Sequence, residues 1–174
     1  MTDMVLENLD QGLLTITMNR PDRRNALNPE MTAGLVAAAR RATDDPEVRA
    51  VLLKGAGGTF CVGGDVKSMA AGRAPMTFEA KTANLRRGME VSRLLHEVPK
   101  PVVAQVDGAA AGAGLSIALS CDLRVASASA KITTAFAKVG LSGDYGGTYF
   151  LTPLLARFRA AEQMGEKVGA AVIA

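Results

Sequence analysis

The stretch KPVVAQVDGAAAGAGLSIALSCD, Lys100 to Asp122, changes character twice along its length. Val102–Val106 is a short apolar run of the kind that forms a buried strand. Gly108 to Gly114 is a loop of glycine and alanine, and Leu115–Cys121 is an apolar helix behind it. Pro99 and Pro101 close whatever precedes the strand. In such a joint the small residues let the main chain approach a ligand closely, and unpaired N–H groups at the helix start can face an anion or a developing oxyanion. The same glycines also suit tight turns and close packing, and their spacing alone leaves both roles open.

Working outward, the unit recurs. Val48–Lys54 (VRAVLLK) predicts a strand, and Gly55 to Asp65 carries five glycines in eleven residues before a helical start at Val66–Met69. A third unit begins at Asp122, passes Lys131–Phe136, and enters the loop Gly140 to Gly147 ahead of the apolar run Thr148–Leu155. On the N-terminal side, Met4–Asn19 reads as a hairpin turning at Gly12. Asn28-Pro29-Glu30 then supplies an N-cap, a proline at the first helical position and an acid near the positive helix end, for a helix over about Pro29–Thr43. Met31, Leu35, Val36 and Ala39 fall at helical spacing on it. A second long helix is predicted over 79–96, although the pattern of residues 70–90 is otherwise uninformative. The organisation is α/β, in one domain without repeats or linkers.

Composition narrows the function. With 48% hydrophobic and 21% charged residues among 174, the chain can bury a core without disulfides or metals. One histidine, His96, and two cysteines, Cys61 and Cys121, cannot supply a common structural zinc set. The cysteines read as small buried residues in a reducing, cytoplasmic setting. No stretch is long and apolar enough to span a bilayer, and the acidic N-terminus does not resemble a signal peptide. The net charge of +3 allows an anionic small molecule, and the scattered, acid-interleaved cations lack the stripe that RNA binding needs. The dinucleotide pattern G-x-G-x-x-G and the phosphate-loop pattern are both absent. His96 lies in a helical stretch without a nucleophile elbow, which disfavours a serine triad. Asp144 sits between Gly143 and Gly146-Gly147, either presented to a ligand or capping the helix behind it.

Taken together these residues resemble the crotonase, or enoyl-CoA hydratase/isomerase, superfamily. Asn19-Arg20-Pro21 with Asn25-Ala26-Leu27 is similar to the family's first motif. Gly55 with Phe60–Lys67 is similar to its first oxyanion and CoA loop, and Lys100–Asp122 to its second. The resemblance implies a crotonase-like spiral of ββα units over residues 1–155. It marks residues 156–174 as atypical, with the family's further C-terminal helices missing. It also implies acyl-CoA thioester substrates, no separate cofactor because coenzyme A belongs to the substrate, and a homotrimer or hexamer. Gly64 and Ala113 take the two oxyanion-donor positions. Ala26, Asp65, Val66 and Lys67 take the CoA-holding positions, with Arg23 or Arg24 at the phosphates, although either arginine also reads as a solvated surface charge.

The two positions that carry glutamates in hydratases hold Ser116 and Phe136 here, so the resemblance assigns them to the acyl pocket together with Tyr145. Asp144 falls where a subgroup similar to the phenylacetate-pathway ring isomerase places its acid. One acid suffices for a double-bond shift, and the apolar Phe136 is expected to raise its pKa. The expectation is an isomerase with Asp144 as acid/base. The alternatives are a hydratase, a dehalogenase-like nucleophile, or a CoA-ester-binding or RNA-associated scaffold.

Overall fold

The computed structural model describes residues 3–65, 76–140 and 142–163. The expected helical start at Val66–Met69 lies outside them, as do residues 164–174.

β1 (Val5–Asp10) and β2 (Leu13–Met18) form the antiparallel hairpin anticipated around Gly12. β2 then pairs in parallel with β3 (Ala50–Gly55), β3 with β4 (Val102–Val106), and β4 with β6 (Leu123–Ala126), giving a five-stranded sheet ordered β1-β2-β3-β4-β6. A second, two-stranded parallel sheet joins β5 (Ala109–Ala111) to β7 (Lys131–Thr133). Each parallel pairing needs a crossover, and helices supply most of them. α1 (Pro29–Asp44) leads from β2 to β3, α2 (Phe78–Glu97) lies between β3 and β4, and α3 (Ala113–Ser120) lies between β5 and β6. This is the crotonase-like α/β spiral expected from the sequence.

Alternation decides which strand residues enter the core. Leu14, Ile16 and Met18 of β2, Val51 and Leu53 of β3, and Val102, Ala104 and Val106 of β4 are buried in one core with Met31, Leu35, Ala38, Ala39 and Ala42 of α1. Asn28 caps α1, its Oδ1 accepting from the Met31 N–H at 2.8 Å. Val36, read as a core position, is only half-buried because it turns toward a cleft between α1 and α2. α4 (Gly147–Gln163) carries Pro153 within it and runs past residue 155, where the resemblance placed the start of the atypical segment.

Candidate active site

The first glycine loop is built against the second. Its residues continue as an extra strand beside β5: Phe60 N–H donates to the Asp107 carbonyl at 2.7 Å, Cys61 N–H to Ala109 at 3.0 Å, and Ala111 N–H returns to Cys61 at 2.9 Å. On its other side Leu27 N–H donates to the Gly63 carbonyl at 2.8 Å and Asp65 N–H to Leu27 at 3.1 Å. The backbones approach so closely that a Cβ on Gly114 would collide with the Cys61 carbonyl, and one on Gly63 would lie 2.8 Å from the Ala111 oxygen. Glycine at these positions is a packing requirement.

This arrangement leaves two nitrogens over. Gly64 and the first residue of α3, Ala113, both line the cleft, and within the described residues neither nitrogen donates a backbone hydrogen bond. Ala113 also stands at the positive end of a helix. The cleft encloses about 890 Å3 between α1, α2 and the glycine loops, and Asp144 and Tyr145 enter it from the third loop. Gly64, Ala113, Asp144 and Tyr145, named from sequence separately, thus share one cavity.

The other described residues assigned from the sequence do not line this cleft. Ser116 is fully buried, bonds back to the Gly112 carbonyl at 3.3 Å, and packs against Gly147, so it lies behind the cleft instead of lining an acyl pocket. Phe136 also fails to reach the cleft; its ring packs under the third loop at Gly143 and Gly147. Arg23 and Arg24 are exposed and do not line the cleft, Arg23 lying beside Asp22 at 3.6 Å. The Ala26 carbonyl accepts from Arg20 Nη1 at 3.0 Å, and the same nitrogen pairs with Asp65 at 2.8 Å, so the nearly buried Asp65 carboxylate faces into the protein. Val66 and Lys67 lie outside the described residues.

The cations that do line the cleft are Arg40, Lys81 and Arg87, which the sequence reading passed over. A helical signal for them exists. Thr32, Ala33, Val36, Ala37 and Arg40 follow one face of α1, and Lys81, Asn84, Leu85 and Gly88 follow one face of α2. His96 is exposed at the end of α2, its ring edge-on to Phe150 with centroids 5.1 Å apart and outside the cleft.

Among the described residues two carboxylates border the cavity, and their surroundings push them apart. Burial raises the Asp144 carboxyl above the ordinary carboxylate range, opposed by a hydrogen bond from its own backbone N–H. A hydrogen bond from Arg93 lowers that of Glu90. No N–H of the first turn of α4 donates to the Asp144 side chain among the described residues; only its main-chain carbonyl is used, by Gly147 N–H at 3.0 Å. Its carboxylate therefore caps no N–H of that helix among the described residues. Burial pushes the Cys61 thiol beneath the first loop up to about 12, which keeps it protonated and unreactive.

Comparison with known proteins agrees with this geometry. The Enoyl-CoA hydratase/isomerase family matches residues 8–172. The 1,2-epoxyphenylacetyl-CoA isomerase of Escherichia coli strain K12 is 38% identical over 160 residues, 92% of this chain and 61% of that protein. The crystal structure of an enoyl-CoA hydratase from Polaromonas sp. JS666 superposes with a TM-score of 0.80 at 37% identity, covering 91% of this chain and 61% of the other. A Thermobifida fusca YX structure in complex with CoA gives 0.78 at 33% identity, covering 92% and 63%. The chain thus spans about three fifths of the length of these relatives. Among its described residues no helix is long and apolar enough to cross a membrane. Two backbone donors meeting one desolvated acid in a single cleft, on this fold and at these identities, place the chain in the enoyl-CoA hydratase/isomerase family.

Proposed function

We propose that the protein binds an acyl-CoA thioester and moves a carbon–carbon double bond within its acyl group. The observation that carries this reading is the meeting of Asp144 in one cleft with the Gly64 and Ala113 nitrogens, neither of which donates a backbone hydrogen bond among the described residues, while Glu90, also bordering the cleft, is held ionised by Arg93.

A single proton shuttle accounts for the reaction. The Asp144 carboxylate takes a proton from C2 of a 3-enoyl thioester. The electron pair left behind delocalises to the thioester oxygen, and the Gly64 and Ala113 N–H groups hold the developing charge. The protonated Asp144 then returns the proton to C4, leaving the double bond between C2 and C3 and the carboxylate regenerated. A carboxyl with a raised pKa suits both halves, because it must accept a proton and give it back. Hydration would need a second acid/base for the water, and Ser116 is buried behind the cleft while Phe136 carries no proton. The CoA complex of the Thermobifida relative supports the thioester class, and Arg40, Lys81 and Arg87 give the cleft the positive charge that suits a phosphate-bearing ligand.

The test compares the intact chain with Asp144→Asn on 3-enoyl-CoA and 2-enoyl-CoA substrates, following double-bond position and solvent deuterium uptake. Migration without hydration, lost in the variant, is expected. Hydration that persists in Asp144→Asn would overturn the assignment, and tight CoA-ester binding with no turnover of either substrate would favour a scaffold.

A further inference from the structure

Tyr145 follows the acid directly, and its surroundings are unusual in three respects. Its backbone has a φ of 52°, in the left-handed region that bulky side chains seldom enter. Its phenol leaves the third loop and crosses to the helices on the far wall of the cleft, where the Thr32 side chain of α1 also approaches Gly88. It ends over Gly88 of α2. A Cβ on Gly88 would stand 2.5 Å from the phenol oxygen and 3.2 Å from the carbon bearing it. Gly88 is a buried glycine in the interior of a 20-residue helix, where alanine is otherwise the better residue. The notch it leaves is filled by the tyrosine.

We propose that Tyr145 is a positioning residue: its phenol, seated in the Gly88 notch beside Thr32, locks the left-handed turn that presents the Asp144 carboxylate to the cleft. An aromatic residue holds a left-handed backbone only where its surroundings over-determine it, and here two helices do so through one side chain. Among the described residues the third loop is otherwise held from its own side, by Phe136 and Thr148 packed against Gly143. Its main-chain bonds to the helix behind are Gly147 N–H to Asp144 and Phe150 N–H to Gly146, both at 3.0 Å, and both lie on the α4 side. The contact across the cleft comes from the phenol. This inference rests on the reading of Asp144 as the acid.

Gly88→Ala tests it, because the added methyl meets the phenol oxygen. The titration of the Asp144 carboxyl carbon, followed by NMR, is expected to move down toward the ordinary carboxylate value as the loop opens to water. With substrate, kcat falls at least about tenfold, as displaced catalytic groups do, while KM stays within about threefold. Removing the oxygen relieves the collision, so Gly88→Ala/Tyr145→Phe should return the Asp144 midpoint and kcat to those of Tyr145→Phe alone. Thr32→Val, which adds no bulk to α2, gives a smaller shift in the same direction and guards against a Gly88→Ala chain that fails to fold. An unchanged Asp144 midpoint and kcat in Gly88→Ala, with a raised Tm from the better helix former, would overturn the proposal. Full double-bond migration in Asp144→Asn would instead overturn the assignment of the acid, and the NMR titration would still decide whether Tyr145 fixes the turn.

Discussion

The first and third glycine loops both line the cleft and are held in opposite ways. The first is clamped on both sides by main-chain hydrogen bonds, to β5 and to Leu27, and braced by buried polar side chains. Asn25, fully buried, donates to the carbonyls of Ala56 at 2.9 Å and Thr59 at 2.6 Å and accepts from Arg20 N–H at 2.9 Å, while Arg20 also pairs with Asp65. The third loop is half-buried, bonded mainly to its own helix, and steadied across the cleft by one tyrosine. The difference suits two kinds of work. Donors that stabilise charge are effective when fixed in advance, since any reorganisation at the moment of reaction costs barrier height. An acid that serves two carbons of one substrate must reach both.

The largest expected effects fall on the groups that perform the chemistry. Asp144→Asn keeps the shape of the third loop and removes its proton chemistry, so kcat for double-bond migration should drop by about 10²–10⁴, with CoA-ester binding retained in a calorimetric titration. On the rigid side, Ala113→Pro deletes one N–H at a helix position where proline is tolerated. The loss of one charge-stabilising donor is expected to cost about 10²–10³ in kcat, with little change in Tm. Equal damage from the two substitutions would mean that the halves contribute comparably. An Ala113→Pro enzyme of normal rate would remove that nitrogen from the mechanism.

Stability should separate the loops next. Arg20→Met removes the guanidinium paired with the Asp65 carboxylate, whose side chain is only 10% exposed. Breaking a pair this deep is expected to cost about 3 kcal/mol, a fall in Tm of about 6–12 °C for a chain of this size. Thermal unfolding measures it directly. A loss near zero would show that the first loop is held by its backbone bonds alone, and the contrast with the third loop would then be one of main-chain pairing only.

The fold was legible because its signals are local. The hairpin at Gly12, the Asn28-Pro29 helix start and the alternation in β2 and β4 each follow from neighbours in sequence, and α1 ends within a residue of its expected limit. Gly64, Ala113 and Asp144, assigned through the family resemblance, do share one cleft, and glycine-rich joints mark where the backbone comes close. What escaped depended on side-chain direction. Ser116 and Phe136 flank the site in sequence, yet α3 turns Ser116 inward to Gly112 and Gly147, and Phe136 closes the underside of the third loop. Asp65 looked like a ligand contact, but its partner Arg20 lies 45 positions away, a pairing that no local pattern reveals. Arg40, Lys81 and Arg87 come together only when α1 and α2 pack.

The smallest predicted effect concerns the energetic cost of the looser loop. Burial holds the Asp144 carboxyl above its ordinary range, so at mildly acidic pH the native chain keeps a proton that the unfolded chain has released. The contribution of this residue to stability therefore declines as pH rises from the unfolded-state pKa through the native one, and at neutral pH the ionised carboxylate destabilises the fold. Asp144→Asn should accordingly raise Tm slightly at pH 7. The advantage should shrink as pH falls and disappear below the unfolded-state value, where the wild-type carboxyl is protonated in both states. Tm measured across that range for the two proteins reads the difference curve. A variant less stable than wild type at pH 7 would mean that the carboxylate supports the third loop instead of straining it, and the two loops would then share one design.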